Sequence, residues 1–415
     1  MHANKKSVNN VVDDILLNFT PFLKLYKDGR VERLLKSPFV PASENPAANR
    51  GVATRDVVID HGTGVSAHLF LPTRAAAMTG GGRKQKLPLV VYIHGGSFCT
   101  ESAFCRTYHR HATSLAAAAG ALVVSVEYRL APEHPIPAAY DDAWSALRWV
   151  ACRSDPWLAG HADPCRTFLA GDSAGGNIAF HTAVRAGRDG GIGIEGEVWD
   201  GAAVFPAYGV DWLWPLVTAR QAGNDDPRLN PPDEEIATLT CRRVLVAVAE
   251  KDTLRKRGVR LFVRVHDCYA RAAGAGEVTL VESEGEDHGF HLYSPLRATS
   301  KKLMESIVHF INNNQLPPTT EVMTPQRRII LGVPRRPFRD EFGYGMRMCM
   351  AYGGGTSKIG GRGKAASASK AAGYGLFTGP VRPNKAHKGP SAPALAVTHV
   401  IKNLKKNKQQ LLAHI

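Results

Sequence analysis

Gly171-Asp172-Ser173-Ala174-Gly175-Gly176 is the stretch on which the reading of this chain turns. An apolar run, residues 167–170, leads into it, and a helix-like run, residues 177–185, leads out. A strand that turns sharply into a helix around G-x-S-x-G lifts the serine out of the fold. The turn is strained and crowded, so small residues must flank the serine. A serine held this way is a nucleophile in want of a base. Alone, the pattern also describes a glycine-rich turn before a helix, and the surroundings have to decide.

Working outward, short apolar runs at residues 89–93, 121–126, 202–205, 244–249 and 278–281 alternate with helix-like segments at 107–119, 137–152, 254–273 and 300–313. That alternation predicts βαβ units and a mostly parallel sheet with helices on both faces, an α/β fold. Residues 55–60 and 65–71, joined by His61-Gly62-Thr63-Gly64, read as a hairpin that leads into the sheet as an antiparallel edge. Residues 75–86 read as a glycine-rich, basic loop. No internal repeat is present.

A serine nucleophile needs a histidine to take its proton, a carboxylate to orient that histidine, and donors for the oxyanion. Downstream of Ser173, one arrangement supplies these in the order serine, acid, histidine, each just past a strand. Asp252 follows the 244–249 run and His288 follows the 278–281 run. Catalytic groups gather at that end of the strands in open α/β sheets. Asp252 is the candidate acid and His288 the candidate base; Glu250 and His291 are their rivals. Asp252 also suits a helix cap, and His288 beside Gly289 suits a surface turn. Upstream, His94-Gly95-Gly96-Ser97 ends a strand in residues without bulky side chains. Backbone N–H groups of Gly95 and Gly96 can point into the site there, joined by that of Ala174.

Together these residues resemble the plant carboxylesterases of the hormone-sensitive-lipase group of α/β-hydrolases, over residues 11–316. Tyr26-Lys27-Asp28-Gly29-Arg30-Val31-Glu32-Arg33, Tyr128-Arg129-Leu130-Ala131-Pro132-Glu133-His134-Pro135 and Ala249-Glu250-Lys251-Asp252 carry the resemblance beside the motifs above. It implies an eight-stranded mixed sheet and a helical cap built partly from residues 1–45. It further implies hydrolysis of small-molecule carboxylic esters. Ser173, Asp252 and His288 would be the triad, and Gly95, Gly96 and Ala174 the oxyanion donors. No cofactor or metal is implied. The gibberellin receptor looks like a relative on the same scaffold, so a non-catalytic small-molecule receptor is the alternative; His288, which that receptor replaces, favours the enzyme. An isoflavonoid dehydratase is another relative, and serine rather than threonine at position 173 weighs against its chemistry. The segment from Phe205-Pro206 to Trp214-Pro215 is shorter than the resemblance implies, and it would wall the acyl pocket. Phe98, Tyr208, Trp212 and Trp214 are candidates for that pocket or for the core.

Charge sets the rest. The chain carries +15, but residues 317–415 hold 17 basic and 3 acidic side chains and residues 1–316 hold 35 and 34. The main body is electrically ordinary. From Pro317-Pro318 onward the composition turns to Gly, Ala, Ser, Lys and Arg, which predicts an extension with little core, largely disordered, with one helix near 397–412. Lys402, Lys405, Lys406 and Lys408 would serve nucleic-acid or anionic-surface binding, against the plainer reading of a solvated basic tail. Seven cysteines at irregular spacing, without C-x-x-C, argue against disulfide frameworks and zinc sites. With a polar N-terminus and no run of about 18 apolar residues, they predict a reducing setting, cytoplasm or nucleus. The sequence does not fix the oligomeric state.

Overall fold

The turn at Ser173 follows a strand that sits inside a sheet of eight. The structure, a computed structural model, describes residues 14–73, 86–200, 209–223, 225–272 and 276–312. Every described residue belongs to one compact unit. The eight strands are β4 (Val52–Asp60), β5 (Val65–Pro72), β6 (Leu87–Ile93), β7 (Leu122–Glu127), β8 (Ala162–Asp172), β9 (Gly196–Asp200), β10 (Arg243–Ala249) and β11 (Glu277–Ser283). Their spatial order is β11-β10-β9-β8-β6-β7-β5-β4. Strands β6 to β11 pair in parallel, while β4 and β5 add an antiparallel edge through the expected hairpin.

Side-chain alternation places the core on both faces, as a covered parallel sheet requires. Leu89, Val91 and Ile93 of β6, with Val244, Val246 and Val248 of β10, face one apolar cluster. Val90 and Tyr92, with Leu245, Ala247 and Ala249, face the other. Helices α1 (Arg106–Ala119), α2 (Ala138–Cys152), α3 (Pro156–His161), α4 (Ala174–Asp189), α5 (Gly209–Val217), α6 (Asp233–Ile236), α7 (Arg255–Arg271), α8 (Phe290–Tyr293) and α9 (Ala298–Asn312) supply the cover. Buried residues of α2, α4 and α7 join the first cluster, and those of α1 and α9 the second.

The N-terminal segment, expected to add helix to a cap, forms three antiparallel strands over its described part: β1 (Ile15–Phe19), β2 (Leu23–Tyr26) and β3 (Val31–Arg33). Its run of Leu, Phe, Tyr and Val suits a pleated, half-buried surface, and Asp28-Gly29 turns the chain between β2 and β3. The strand expected at 202–205 lies outside the described residues, and the sheet takes Gly196–Asp200 between β8 and β10. Residues 75–85, the segment 201–208, Tyr208 and the extension 317–415 with its 397–412 helix also lie outside the described residues.

Candidate active site

Parallel pairing brings four loops to one edge of the sheet, those leaving β6, β8, β10 and β11. Ser173 stands between β8 and α4 with φ 54° and ψ −123°. A non-glycine residue there costs on the order of 1–3 kcal/mol and needs a surrounding that forces it. The neighbours supply that force. A Cβ on Gly175 would stand 2.0 Å from the Ile93 carbonyl oxygen, and one on Gly171 would stand 2.5 Å from the Gly175 backbone. The first turn of α4 is therefore pressed against the end of β6 by backbone contact alone. Ser173 itself is half-buried, and its hydroxyl makes no hydrogen bond among the described residues.

Asp252 and His288 meet. His288 Nδ1 lies 3.2 Å from Asp252 Oδ2, with the Asp252 side chain fully buried. The other carboxylate oxygen accepts from the Leu254 amide at 2.8 Å, so Asp252 also closes the turn that leads into α7, whose N-cap is Leu254. The two loops are tied to each other. The amide of Lys251 donates to the Glu286 carbonyl (2.9 Å), that of Glu250 to the Ser283 carbonyl (3.0 Å), and that of Gly285 to the Glu250 carboxylate (2.7 Å). Glu250, the rival acid, is spent in that tie. His291, the rival base, is buried and packs edge-on against His111, with ring centroids 5.3 Å apart.

Burial sets the charges. It pushes the His288 imidazolium down to about 3 and the Asp252 carboxyl up to about 7, the Leu254 amide opposing the second shift. Neutral His288 with its Nδ1 on Asp252 leaves Nε2 free to accept a proton.

The loop after β6 is the most constrained part. Gly96 (φ 106°), Ser97 (φ 58°), Phe98 (φ 61°) and Glu101 (φ 68°) all have positive φ. A Cβ on Gly96 would lie 2.3 Å from the Thr100 carbonyl oxygen. The Gly96 carbonyl accepts from the amides of Cys99 (3.0 Å) and Thr100 (2.9 Å) and from the Thr100 hydroxyl (2.9 Å). His94 is buried, stacks on Tyr128 at 4.3 Å and turns Nδ1 to the Gly95 carbonyl at 2.7 Å.

Gly95 differs from expectation. Its amide donates inward, to the Tyr108 hydroxyl (2.9 Å) and to Asp172 Oδ1 (3.1 Å). Asp172 is buried and also accepts from the Tyr92 and Tyr108 hydroxyls, each at 2.9 Å. Burial raises its carboxyl to about 6 against those three donors. The Gly95 N–H is thus engaged inside the fold, and the amides of Gly96 and Ala174 are the remaining donors of the expected set. Asp172 was in view inside the quoted motif, but as its variable position. Tyr108 lies 64 residues before Asp172, with no local signal to join them.

Of the aromatics considered for the pocket, Phe98 and Trp214 are buried and pack edge to face at 5.7 Å. Phe98 also lies 6.2 Å from Tyr140. Tyr208 and the Trp212 side chain are outside what is described. The described cysteines are all free, and no group of three or more metal-ligating side chains forms among the described residues.

Comparisons with known proteins bear on the family and the fold. Residues 90–292 match the family described as the alpha/beta hydrolase fold. Probable carboxylesterase 5 of Arabidopsis thaliana is 37% identical over 325 residues, covering 72% of this chain and 98% of that protein. The 2-hydroxyisoflavanone dehydratase of Glycyrrhiza echinata is 40% identical over 321 residues, covering 70% and 94%. Among solved structures, a hyperthermophilic esterase from the archaeon Pyrobaculum calidifontis superposes with a TM-score of 0.51 at 28% identity, covering 62% of this chain and 85% of its own.

Proposed function

The chain belongs to the plant carboxylesterases of the α/β-hydrolase fold, and from that premise we propose that it hydrolyses small-molecule carboxylic esters through an acyl-enzyme on Ser173. His288 Nε2 takes the Ser173 proton as the hydroxyl attacks the ester carbonyl. Asp252 holds the imidazole by Nδ1 and stabilises the imidazolium that forms. The amides of Gly96 and Ala174 face the developing oxyanion, with Gly95 anchoring their loop from behind. His288 then delivers the proton to the leaving alcohol, and water repeats the cycle on the acyl-enzyme.

The observation that carries this reading is the 3.2 Å contact between His288 and the buried Asp252, on the sheet edge where Ser173 is held with positive φ. Among the described residues the Ser173 hydroxyl has no hydrogen-bond partner; catalytic hydrogen bonds of this kind commonly tighten in the Michaelis complex. An imidazole seated on a buried acid is what a general base requires, which favours the enzyme over a receptor. Serine at 173 supports hydrolysis over the dehydratase chemistry in the name of one relative.

The test is turnover of p-nitrophenyl acetate and butyrate, with fluorophosphonate labelling and peptide mapping. Wild type turns over and is labelled at Ser173, and Ser173→Ala does neither. Equal turnover by the two proteins rejects the assignment. A ligand bound tightly by calorimetry without any product favours the receptor.

We further propose residues 1–316 as the hydrolase domain and 317–415 as a separate extension. Free thiols among the described residues support a reducing setting, for which we propose the cytoplasm, with the nucleus as alternative. No helix among the described residues is long and apolar enough to cross a membrane.

A further inference from the structure

Arg33 is the last residue of β3, in the small N-terminal sheet, yet its guanidinium is spent on the loop that follows β6. Its Nε donates to the Cys99 carbonyl at 2.8 Å, across 66 residues of chain. Its two terminal nitrogens take both oxygens of Glu133, at 2.8 and 2.7 Å, and one of them also donates to the Ala131 carbonyl at 3.2 Å. Four hydrogen bonds thus bind one side chain to two separate segments, residues 99 and 131–133. A planar, forked cation does this, and a lysine cannot.

Those segments frame the strained turn. Ala131 donates its amide to the Phe98 carbonyl at 2.9 Å, and the Cys99 amide holds the Gly96 carbonyl at 3.0 Å. Ser97 and Phe98, both at positive φ, lie between these ties. A backbone in that state keeps its shape only while its surroundings over-determine it. On the sheet side the restraint comes from Asp172 and Tyr108, which hold the Gly95 amide. At the far end it comes from Arg33.

We propose that Arg33 is a positioning residue for the oxyanion hole, and that the N-terminal sheet, through its pair with Glu133, fixes the direction of the Gly96 amide. The inference rests on the esterase reading above, since it takes Gly96 as a donor. Arg33 touches no reacting atom; it acts through the Cys99 and Ala131 carbonyls. Losing it loosens a donor without deleting it.

The experiment measures kcat per active site, with sites counted by fluorophosphonate titration, in the full chain and in Arg33→Ala, Arg33→Lys and Glu133→Gln. Arg33→Ala is expected to lower kcat per titrated site about tenfold, less than the roughly 10²–10³ lost when a donor is removed outright, with KM within about twofold. Inhibition by a trifluoromethyl ketone, which forms the tetrahedral adduct, should weaken in proportion. Binding of an alcohol product such as 1-butanol, which places no negative oxygen among the amide donors, should stay the same. Arg33→Lys should fail to restore the rate. Where Arg33→Ala does not fold, Glu133→Gln, which keeps the shape of the pair, carries the test, with a smaller fall in the same direction. Unchanged kcat per titrated site, with only the active fraction or Tm reduced, overturns the proposal, because a brace for stability alone predicts that result. A wild-type chain that neither turns over nor labels at Ser173 overturns the esterase reading, and this inference with it.

Discussion

At the scale of single residues, the site is a contest between burial and charge. His288 and Asp252 are both withdrawn from water, and burial pushes the imidazolium down to about 3 and the carboxyl up to about 7. Catalysis needs the state with neutral imidazole and ionised carboxylate. The two groups share a hydrogen bond, so the proton that ends activity belongs to the pair. With the imidazole lowered and the carboxyl raised to about 7, the working state fills as pH rises through that value and is lost as pH falls. The expected kcat/KM profile has a single-proton acid limb centred at about 7 and is level well above it. A limb centred clearly above 7 contradicts the assignment. From sequence, activity should rise through an ordinary histidine value, and a flat profile between about 5 and 8 would count against His288. Burial changes the cause of the limb: the imidazole stays neutral well below its usual range, and the fall in activity follows the raised carboxyl of the pair. Ser173, Asp252 and His288 could be singled out in the sequence because each is spaced from an apolar run. The inward turn of the Gly95 amide could not, since it depends on Tyr108 and Asp172 meeting across 64 residues.

At the scale of elements, β9 carries an anomaly. Glu197 lies on a central strand, fully buried, and neither carboxylate oxygen has a hydrogen-bond partner. Burial raises its carboxyl to about 8, so it is protonated in the folded protein at neutral pH. The sign of the linkage follows from a folded value above the unfolded one. Glu197 favours the folded state most below the unfolded carboxyl range, and that contribution is lost as pH rises through about 8. The contribution of Glu197 is read as the Tm difference between wild type and Glu197→Gln by circular dichroism, and it should turn against wild type from pH 5 to pH 9; buried histidines with lowered values, among them His94, His111 and His288, act with the opposite sign on the whole-protein Tm below about 6.5. Glu197→Leu should raise stability by about 1–3 kcal/mol, the usual cost of a buried unsatisfied polar group. A difference between wild type and Glu197→Gln that does not change with pH would place the pH effect elsewhere. The strand at Gly196–Asp200 is hard to read in the sequence for the same reason: it includes two acids, Glu197 and Asp200, where a buried parallel strand is expected to be apolar. Helix-like runs read more faithfully. The runs at 107–119 and 137–152 start within a residue of Arg106–Ala119 and Ala138–Cys152. The N-terminal strands were missed because short, partly buried strands carry little periodicity.

At the scale of the whole molecule, the apolar clusters that cover the sheet close with Ile311, at the end of α9. The sequence changes character soon after, at Pro317-Pro318, where the excess of basic side chains begins. A protein truncated after residue 316 is expected to keep its turnover and its Tm within experimental error. Gel shifts at low salt should separate the full chain from the truncation only if the extension binds nucleic acid. Loss of turnover on truncation would show that the extension serves the hydrolase domain directly.

The contact between Gly175 and the Ile93 carbonyl limits how such a protein can diversify. With no side chain between them, the bend that presents the nucleophile and the strand that delivers the anion-binding loop are one mechanical part. A change that shifts either drags the other along. New ester preferences must therefore arise away from this joint, in loops whose length can change without moving either strand end.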